Sequence, residues 1–415
     1  VSFDNVIIVE DSVENFYPLS LSTPIPNMII GGLRYFEHVI LNLLSLNYEI
    51  DKIYIVTREY LAIPWLKLIP SLLNHLDLKF NVNYTFIDKV QEIYGKSLII
   101  SSLLLPSKSV LRKLLEKVKY GEVIACKDKP LMGILDDVST FWNRTLWKGS
   151  EDINVIEGVW DLIKYNTNVM EENLELILKV TSLEKARNNV YKTLNTTIHS
   201  YADFNDKKPI IIIDSEIDSF TRIEGPTMLG PKVHIHSCTL IRSGVSIYFK
   251  ANIGGELKNV IIDAYSNKAH NGYIGDSYVG RWVNIGAGTN VSNLKNTRGI
   301  IKYKGHHTGM EKLGTIISDW VKIGIGTNIY CGRYIGQASH VLGYVIHDVP
   351  PFTIYAKPLR NDMYELSLDK AIEVFKRYCR SKIEYSNYEV EVMKYVYELS
   401  LSERQNVRRG YFSLH

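Results

Sequence analysis

No run of roughly eighteen apolar residues occurs in this chain, and Ser97 to Pro106 is among its longest, so no obvious membrane-spanning helix is encoded. The first residues include Asp4, Glu10 and Asp11 where a secretory leader would carry a basic flank and an apolar core. Cysteine is scarce: Cys126, Cys238, Cys331 and Cys379 are widely spaced with no CxxC pair, which excludes a disulfide framework and a cysteine zinc cluster. Charge of one sign is also lacking. Lys+Arg of 48 against Asp+Glu of 45 leaves a net charge of +3, too balanced for a nucleic-acid binder. These absences predict a soluble cytoplasmic protein with neither nucleic acid nor membrane as partner.

What is present is ordinary globular material, 46% hydrophobic and 22% charged over 415 residues, enough for two full-sized cores. In the first half, apolar runs at Val6–Val9, Ile53–Val56 and Leu98–Ser101 alternate with helical spacing at Leu33–Leu46 and Ala62–Leu76. That alternation predicts an α/β domain with a mostly parallel sheet, whose ligands would bind in the turns after Val9, Val56 and Ser101. A glycine-rich phosphate loop is missing there: Glu10, Asp11 and Glu14 follow the first strand, and carboxylates repel a triphosphate. Gly31-Gly32 reads as a tight turn. Asp161 to Arg187 reads as an amphipathic helical connector.

From Ile211 an aliphatic residue recurs at every sixth position, through Ile217, Ile223, Leu229, Ile235, Ile241, Ile247 and Ile253. After an interruption the beat resumes at Ile274, slips by one to Val279, continues through Ile285 and Val291, and returns from Ile317 to Val341. Neither a helix nor a simple strand holds such a period. It is the pattern of a hexapeptide parallel β-helix, in which each aliphatic residue fills the axis of a triangular coil. The segment between Val291 and Ile317 predicts an insertion that projects outward. Ser367 to Arg380 and Ser386 to Leu401 read as two helices, the second opened by Ser386 and Glu389 as a capping box, packed on the coil end or on a neighbouring subunit. The predicted domains are residues 1–207, 208–358 and 359–415.

One stretch combines this beat with chemistry: NKAHNGYIGDSYVGRWVNIGAGTNVSN, Asn267 to Asn293. His270 carries an imidazole and suits a general base, Tyr273, Asn284 and Asn293 offer neutral hydrogen bonds for a sugar, and Arg242 and Lys258 suit a phosphate. No spacing brings three histidines to one zinc, since His234 and His236 alternate on one strand while His306 and His307 lie in the insertion, so no metal is expected.

The segment KAH followed by YIGDSYVGRWVNIGAGT resembles the acetyltransferase half of the bifunctional N-acetylglucosamine-1-phosphate uridylyltransferase family, and the likeness spans Glu224 to Val345. The resemblance implies a left-handed β-helix, a homotrimer with active sites between neighbouring coils, and acetyl-CoA as co-substrate for an amino-sugar 1-phosphate. By position, His270 matches the general base and Ala287 the backbone N–H that stabilises the oxyanion. Arg242, and with a two-residue gap Glu256 and Lys258, match residues that hold the sugar phosphate and ring. Tyr273 and Asn284 match sugar contacts, Asn293 a residue that places the amine, Lys312 a loop lysine that reaches a neighbouring subunit, and Gly343 a coenzyme A contact. Ile325 stands where the family has serine. In the first half, PLSLSTPIPNMIIG (Pro18 to Gly31) resembles the family's opening pattern with its arginines replaced by Thr23 and Ile29, and Ser101, Ser102 and Leu103 replace an Asn-Gly-Arg. Those losses imply a degenerate nucleotidyltransferase domain, with Mg²⁺ required only if that activity is retained. The alternatives are a sugar-1-phosphate nucleotidyltransferase and a non-catalytic scaffold.

Overall fold

The computed structural model describes residues 2–68, 71–76, 84–90, 93–149, 153–356, 363–379 and 386–408. Ala356 to Arg360 reads in the sequence as an extended exit from the coil, and its residues 357–360 lie outside the described residues, as does Pro70, which interrupts the helical spacing of Ala62–Leu76. Among the described residues no helix is long and apolar enough to cross a membrane.

The first half is built on a seven-stranded sheet. Ser2–Val9 lies between Glu49–Val56 and Ser97–Ser101, parallel to both, and Tyr84–Ile87 extends the parallel edge. On the other side Lys129–Leu135 runs antiparallel to Ser97–Ser101. The central strands are buried on both faces, which is why they read as continuous Val/Ile runs rather than as an alternation. Gly31 and Gly32, both at positive φ, close the hairpin of Ile29–Ile30 with Leu33–Arg34, as their pairing in the sequence predicts.

The second half is a three-sided coil of short parallel strands. Its first face stacks Glu216–Ile217, His234–Ile235, Asn252–Ile253, Asn267–Lys268, Asn284–Ile285, Lys322–Ile323 and His340–Val341. The second face runs through Arg222–Glu224, Leu240–Ile241, Glu256–Leu257, Tyr273–Ile274, Asn290–Val291 and Asn328–Ile329. The third runs through Ile210–Ile212, Thr227–Leu229, Val245–Ile247, Val260–Ile262, Ser277–Val279 and Thr315–Ile317. The sixth-position aliphatic residues form one continuous axial core. Fully burying each such side chain contributes about 1.5–3 kcal/mol, so the repeat is its own scaffold.

Three details depart from the periodicity. Coil strands already pair at Val190–Lys192, Thr197–Ile198 and Asp203–Asn205, so the solenoid begins before residue 208. Ile211 is not axial: Ile210 and Ile212 fill the axis while Ile211 faces the first domain, a slip hidden by four consecutive isoleucines. The interruption before Ile274 conceals an axial position held by Lys268, which sits in register with Ile253.

The α/β half packs along the third face rather than at a coil end, covering Met228, Tyr248, Ile261, Tyr278, Ile316 and Tyr334. Arg34 and Asp263 pair at 2.8 Å across this contact, both buried. The insertion after Val291 is exposed from Asn296 to Ile300 and from Lys304 to His307, as an outward excursion would be, but part of it packs back on the first domain. Ile301, Tyr303 and Leu313 are buried, Tyr303 Oη donates to the Tyr17 carbonyl at 2.9 Å, and Lys304 Nζ lies 3.5 Å from the centre of the Tyr17 ring.

The terminal helices, Leu368–Cys379 and Asn387–Leu399, lie on the coil's side near Trp282 and Trp320 instead of capping its end, and Tyr395 stacks on Tyr60 of the first domain. Ser386 caps the second helix, accepting from the Tyr388 N–H at 3.2 Å, but no capping box forms. Glu389 is drawn instead to the buried Arg281 guanidinium and to the indole N–H groups of Trp282 and Trp320 at 3.0 and 3.1 Å.

Candidate functional site

The corner joining the first and second faces, opposite the face covered by the α/β half, carries several of the candidate residues. It is turned by Gly254-Gly255, Ala269 to Gly272, Gly286 to Gly288, Gly324 to Gly326 and Leu342-Gly343 on successive coils. Their N–H groups bond from coil to coil: Gly254 N–H donates to the Lys268 carbonyl, Gly288 N–H to that of Asn271, and Gly326 N–H to that of Ala287. Gly255, Gly272, Gly288, Gly326 and Gly343 all have positive φ here. A side chain at Gly272 would begin 2.1 Å from the Thr289 carbonyl oxygen, so this corner needs glycine. His270, Ala287, Ile325 and Gly343 therefore stand in one column on consecutive coils. His270 is exposed, and Ile325, two coils further along the column, is 81% exposed.

Beyond the corner, the second face carries a polar ladder. Arg242 Nε donates to Glu256 at 2.7 Å, and Glu256 is in register with Tyr273. Asn293 Nδ2 donates to Tyr273 Oη at 3.2 Å and to Asp276 at 2.5 Å, while Asn259 Nδ2 donates to the other Asp276 oxygen at 2.8 Å. Burial pushes the Asp276 carboxyl above its ordinary range, opposed by these two amides and by the charges of Lys258 and Lys312. Lys312 thus belongs electrostatically to its own chain's ladder, brought there where the insertion closes by the Leu294–Lys312 bridge. A cleft of about 340 Å³ opens on this face between Tyr273, Asn290, Asn296, Asn328 and Tyr330. Asn284 sits apart, on the first face, accepting from Asn267 Nδ2 at 3.0 Å.

The sequence reading missed Asp276, which passes for an ordinary turn residue, and Lys268, which passes for a break in the beat. Lys268 is 1% exposed and its ammonium turns back to the corner, donating to the carbonyls of His270, Asn271 (2.9 Å) and Gly254 (3.4 Å). Burial lowers its pKa from the ordinary 10.5 to about 8. A lysine whose folded pKa is depressed binds fewer protons folded than unfolded between about 8 and 10.5, so its destabilising effect is complete below that window and fades as pH rises through it. Lys268→Met is accordingly expected to remove that pH slope and to leave the melting temperature at pH 7 no lower than the parent's. Because the ammonium ties down the His270 turn, the same variant should lose activity on the order of 10-fold or more, since a misplacement of about 1 Å is that costly. Melting curves from pH 7 to 10 beside turnover measurements check both halves.

In the α/β half, the end of the central strand is occupied by Glu10. Its carboxylate accepts from Ile25 N–H at 2.8 Å, from Thr57 Oγ1 at 2.7 Å and from Arg58 at 3.1 and 3.2 Å. The cation in the predicted turn after Val56 is thus already paired. Thr23 and Ile29 are both buried against the coil: Thr23 Oγ1 donates to Asp319 at 3.3 Å, and the Ile29 N–H donates to Tyr278 Oη at 3.1 Å.

Sequence comparison adds two likenesses. Residues 6–181 match the family described as sugar nucleotidyl transferase. The chain is 33% identical over 125 residues to the bifunctional protein GlmU of Burkholderia multivorans, and 31% identical over 151 residues to that of Azoarcus sp. strain BH72. These matches take in 30% and 34% of this chain but only 24% and 30% of the relatives' own lengths. Among solved structures, the Francisella novicida UDP-N-acetylglucosamine acyltransferase aligns over 53% of this chain and 94% of its own at 14% identity, with a TM-score of 0.20, too slight a likeness to rest anything on.

Proposed function

We propose, for a chain that resembles the two-domain sugar-1-phosphate nucleotidyltransferase-like and hexapeptide acetyltransferase family, that it transfers an acetyl group from acetyl-CoA to the amine of an amino-sugar 1-phosphate. The observation that carries this reading is the single corner column of His270, Ala287, Ile325 and Gly343, flanked by a face bearing Arg242, Lys258 and Lys312. His270 takes a proton from the sugar ammonium's neutralised amine as that nitrogen attacks the thioester carbonyl. The Ala287 N–H stabilises the oxyanion that forms, and collapse expels the coenzyme thiolate, which recovers the proton from the imidazolium. Arg242, Lys258 and Lys312 hold the phosphate while Glu256, Tyr273 and Asn293 address the ring, and Gly343 contacts coenzyme A. Asn284, on the other flank of the corner, completes the site from a neighbouring coil in a homotrimer. Thiol release from acetyl-CoA with glucosamine 1-phosphate, repeated with galactosamine 1-phosphate, tests the proposal. Silence with both sugars from folded protein would end it.

The α/β half is proposed as a docked support without nucleotidyl transfer. Glu10 holds Arg58, which follows the Glu49–Val56 strand, and Thr23 and Ile29, which stand where the family has arginine, are buried in the domain contact. Incubation with UTP, Mg²⁺ and N-acetylglucosamine 1-phosphate is expected to release no pyrophosphate above background. Turnover would instead favour the uridylyltransferase reading, which the family match over residues 6–181 keeps in view.

A further inference from the structure

On the early coils of the first face the outward positions carry a set of side chains that neither the acetyl-transfer site nor the domain contact uses. Glu216 and Asp218 flank the axial Ile217, and His234 and His236 flank the axial Ile235 one coil on. Residues two apart on a strand point the same way, so all four face outward. His199 joins them from the preceding coil, where its N–H donates to the Ile217 carbonyl at 2.9 Å. The rings of His234 and His236 lie 4.2 Å apart, and His234 Nε2 meets Asp218 Oδ1 at 3.1 Å. One ligand atom each from Asp218, His234 and His236 falls within a sphere where all are within 4.8 Å of one another. A second trio, His199, Glu216 and Asp218, satisfies the same condition and shares Asp218, with His199 Nε2 3.0 Å from Glu216 Oε1.

We propose that Asp218, His234 and His236 bind a divalent transition metal ion, zinc by ligand type, with the Glu216–His199 pair at its rim. Two imidazoles and one carboxylate make a borderline donor set that selects zinc, cobalt or nickel over calcium or magnesium, which prefer oxygen alone. Metal–ligand distances of about 2.0–2.2 Å put any two ligands of one ion no more than about 4.4 Å apart, a separation that His234 Nε2 and Asp218 Oδ1, at 3.1 Å, already satisfy. All three residues are only partly buried, so water can complete the coordination and the ion can enter from solvent. The search for three histidines in the sequence overlooked this set because its third donor is an aspartate eighteen residues upstream, brought alongside by one turn of the coil. The ion would staple adjacent coils at the start of the solenoid. By register His236 aligns with Gly254 and Ala269, two coils before the His270 turn and one position short of its column, so the two sites are separate neighbours on one edge.

The test uses full-length protein stripped with a chelator and titrated with Co²⁺, then with Zn²⁺ against a chromophoric competitor. One equivalent of Co²⁺ should give visible d–d bands that Zn²⁺ bleaches. Asp218→Asn combined with His236→Gln should abolish the bands and weaken zinc binding on the order of 100-fold or more, with an unchanged circular dichroism spectrum. His199→Gln, at the rim, should weaken binding about 10–100-fold, the usual effect of an outer partner. His270→Ala should bind as the parent does. Absence of the bands in the parent, or stoichiometric zinc binding that survives the double substitution, would overturn the assignment.

Discussion

His270→Ala is expected to lower acetyl transfer on the order of 10²- to 10⁴-fold while leaving the fold untouched. The imidazole is exposed at a glycine-turned corner, and its loss opens no cavity. A positioned base earns its effect in the transition state, so kcat should carry the loss and KM for the sugar phosphate should move little. Arg242→Ala provides the contrast: its guanidinium is held by Glu256 at 2.7 Å on the adjoining face, where a phosphate would be bound before and during the reaction alike. That variant should raise KM more than it lowers kcat. Thiol-release kinetics for both, with melting temperatures as the control for folding, separate the two roles. Equal and small effects from both would mean that the corner is not where the chemistry occurs.

The sequence made the solenoid legible because an axial side chain has little freedom, so the buried axis is filled almost throughout by aliphatic residues at the sixth position. What it could not show is which outward residues are also buried. Tyr248, Tyr278 and Asp263 look like surface decoration of a repeat, yet all three are covered by the first domain. The insertion was legible only in part for the same reason: Asn296 to Ile300 are exposed as expected, but the buried Tyr303 and Ile301 take their meaning from a domain far away in the sequence. The corner of His270, Ala287 and Gly343 was legible through its glycines and its resemblance to a known acetyltransferase. Lys268 was not, because a charged residue at an axial position reads as a failure of the pattern rather than as part of it. The Asp218, His234 and His236 cluster was hidden by the coil period, which makes neighbours of residues that no local motif connects.

The second large effect is expected at Arg281, where coil, first domain and terminal helix meet. Its guanidinium is fully buried, 2.8 Å from Asp319 and paired with Glu389, and it lies over Trp65, 4.5 Å from the ring centre. Arg34 approaches the same Trp65 ring at 5.3 Å, so one indole is shared by the two buried arginines that join the halves. Removing one partner of a buried pair costs about 3–5 kcal/mol, because the remaining charge is left without compensation. Arg281→Ala leaves two such carboxylates, and Glu389, whose pKa burial already raises against the pull of Arg281, should be driven higher still. A carboxyl with a raised folded pKa takes up protons more readily folded than unfolded, so the variant should regain part of its stability as pH falls from 8 to 5. Melting temperature across that range is the measurement: a large deficit at pH 8 that narrows toward pH 5 is expected. Adding Glu389→Gln to Arg281→Ala should narrow the deficit at pH 8 itself, because the neutral amide removes one unpaired charge while keeping an acceptor for the indole N–H groups. A deficit independent of pH in both variants would show that Arg281 acts through packing on Trp65 and Trp320 rather than through its charge.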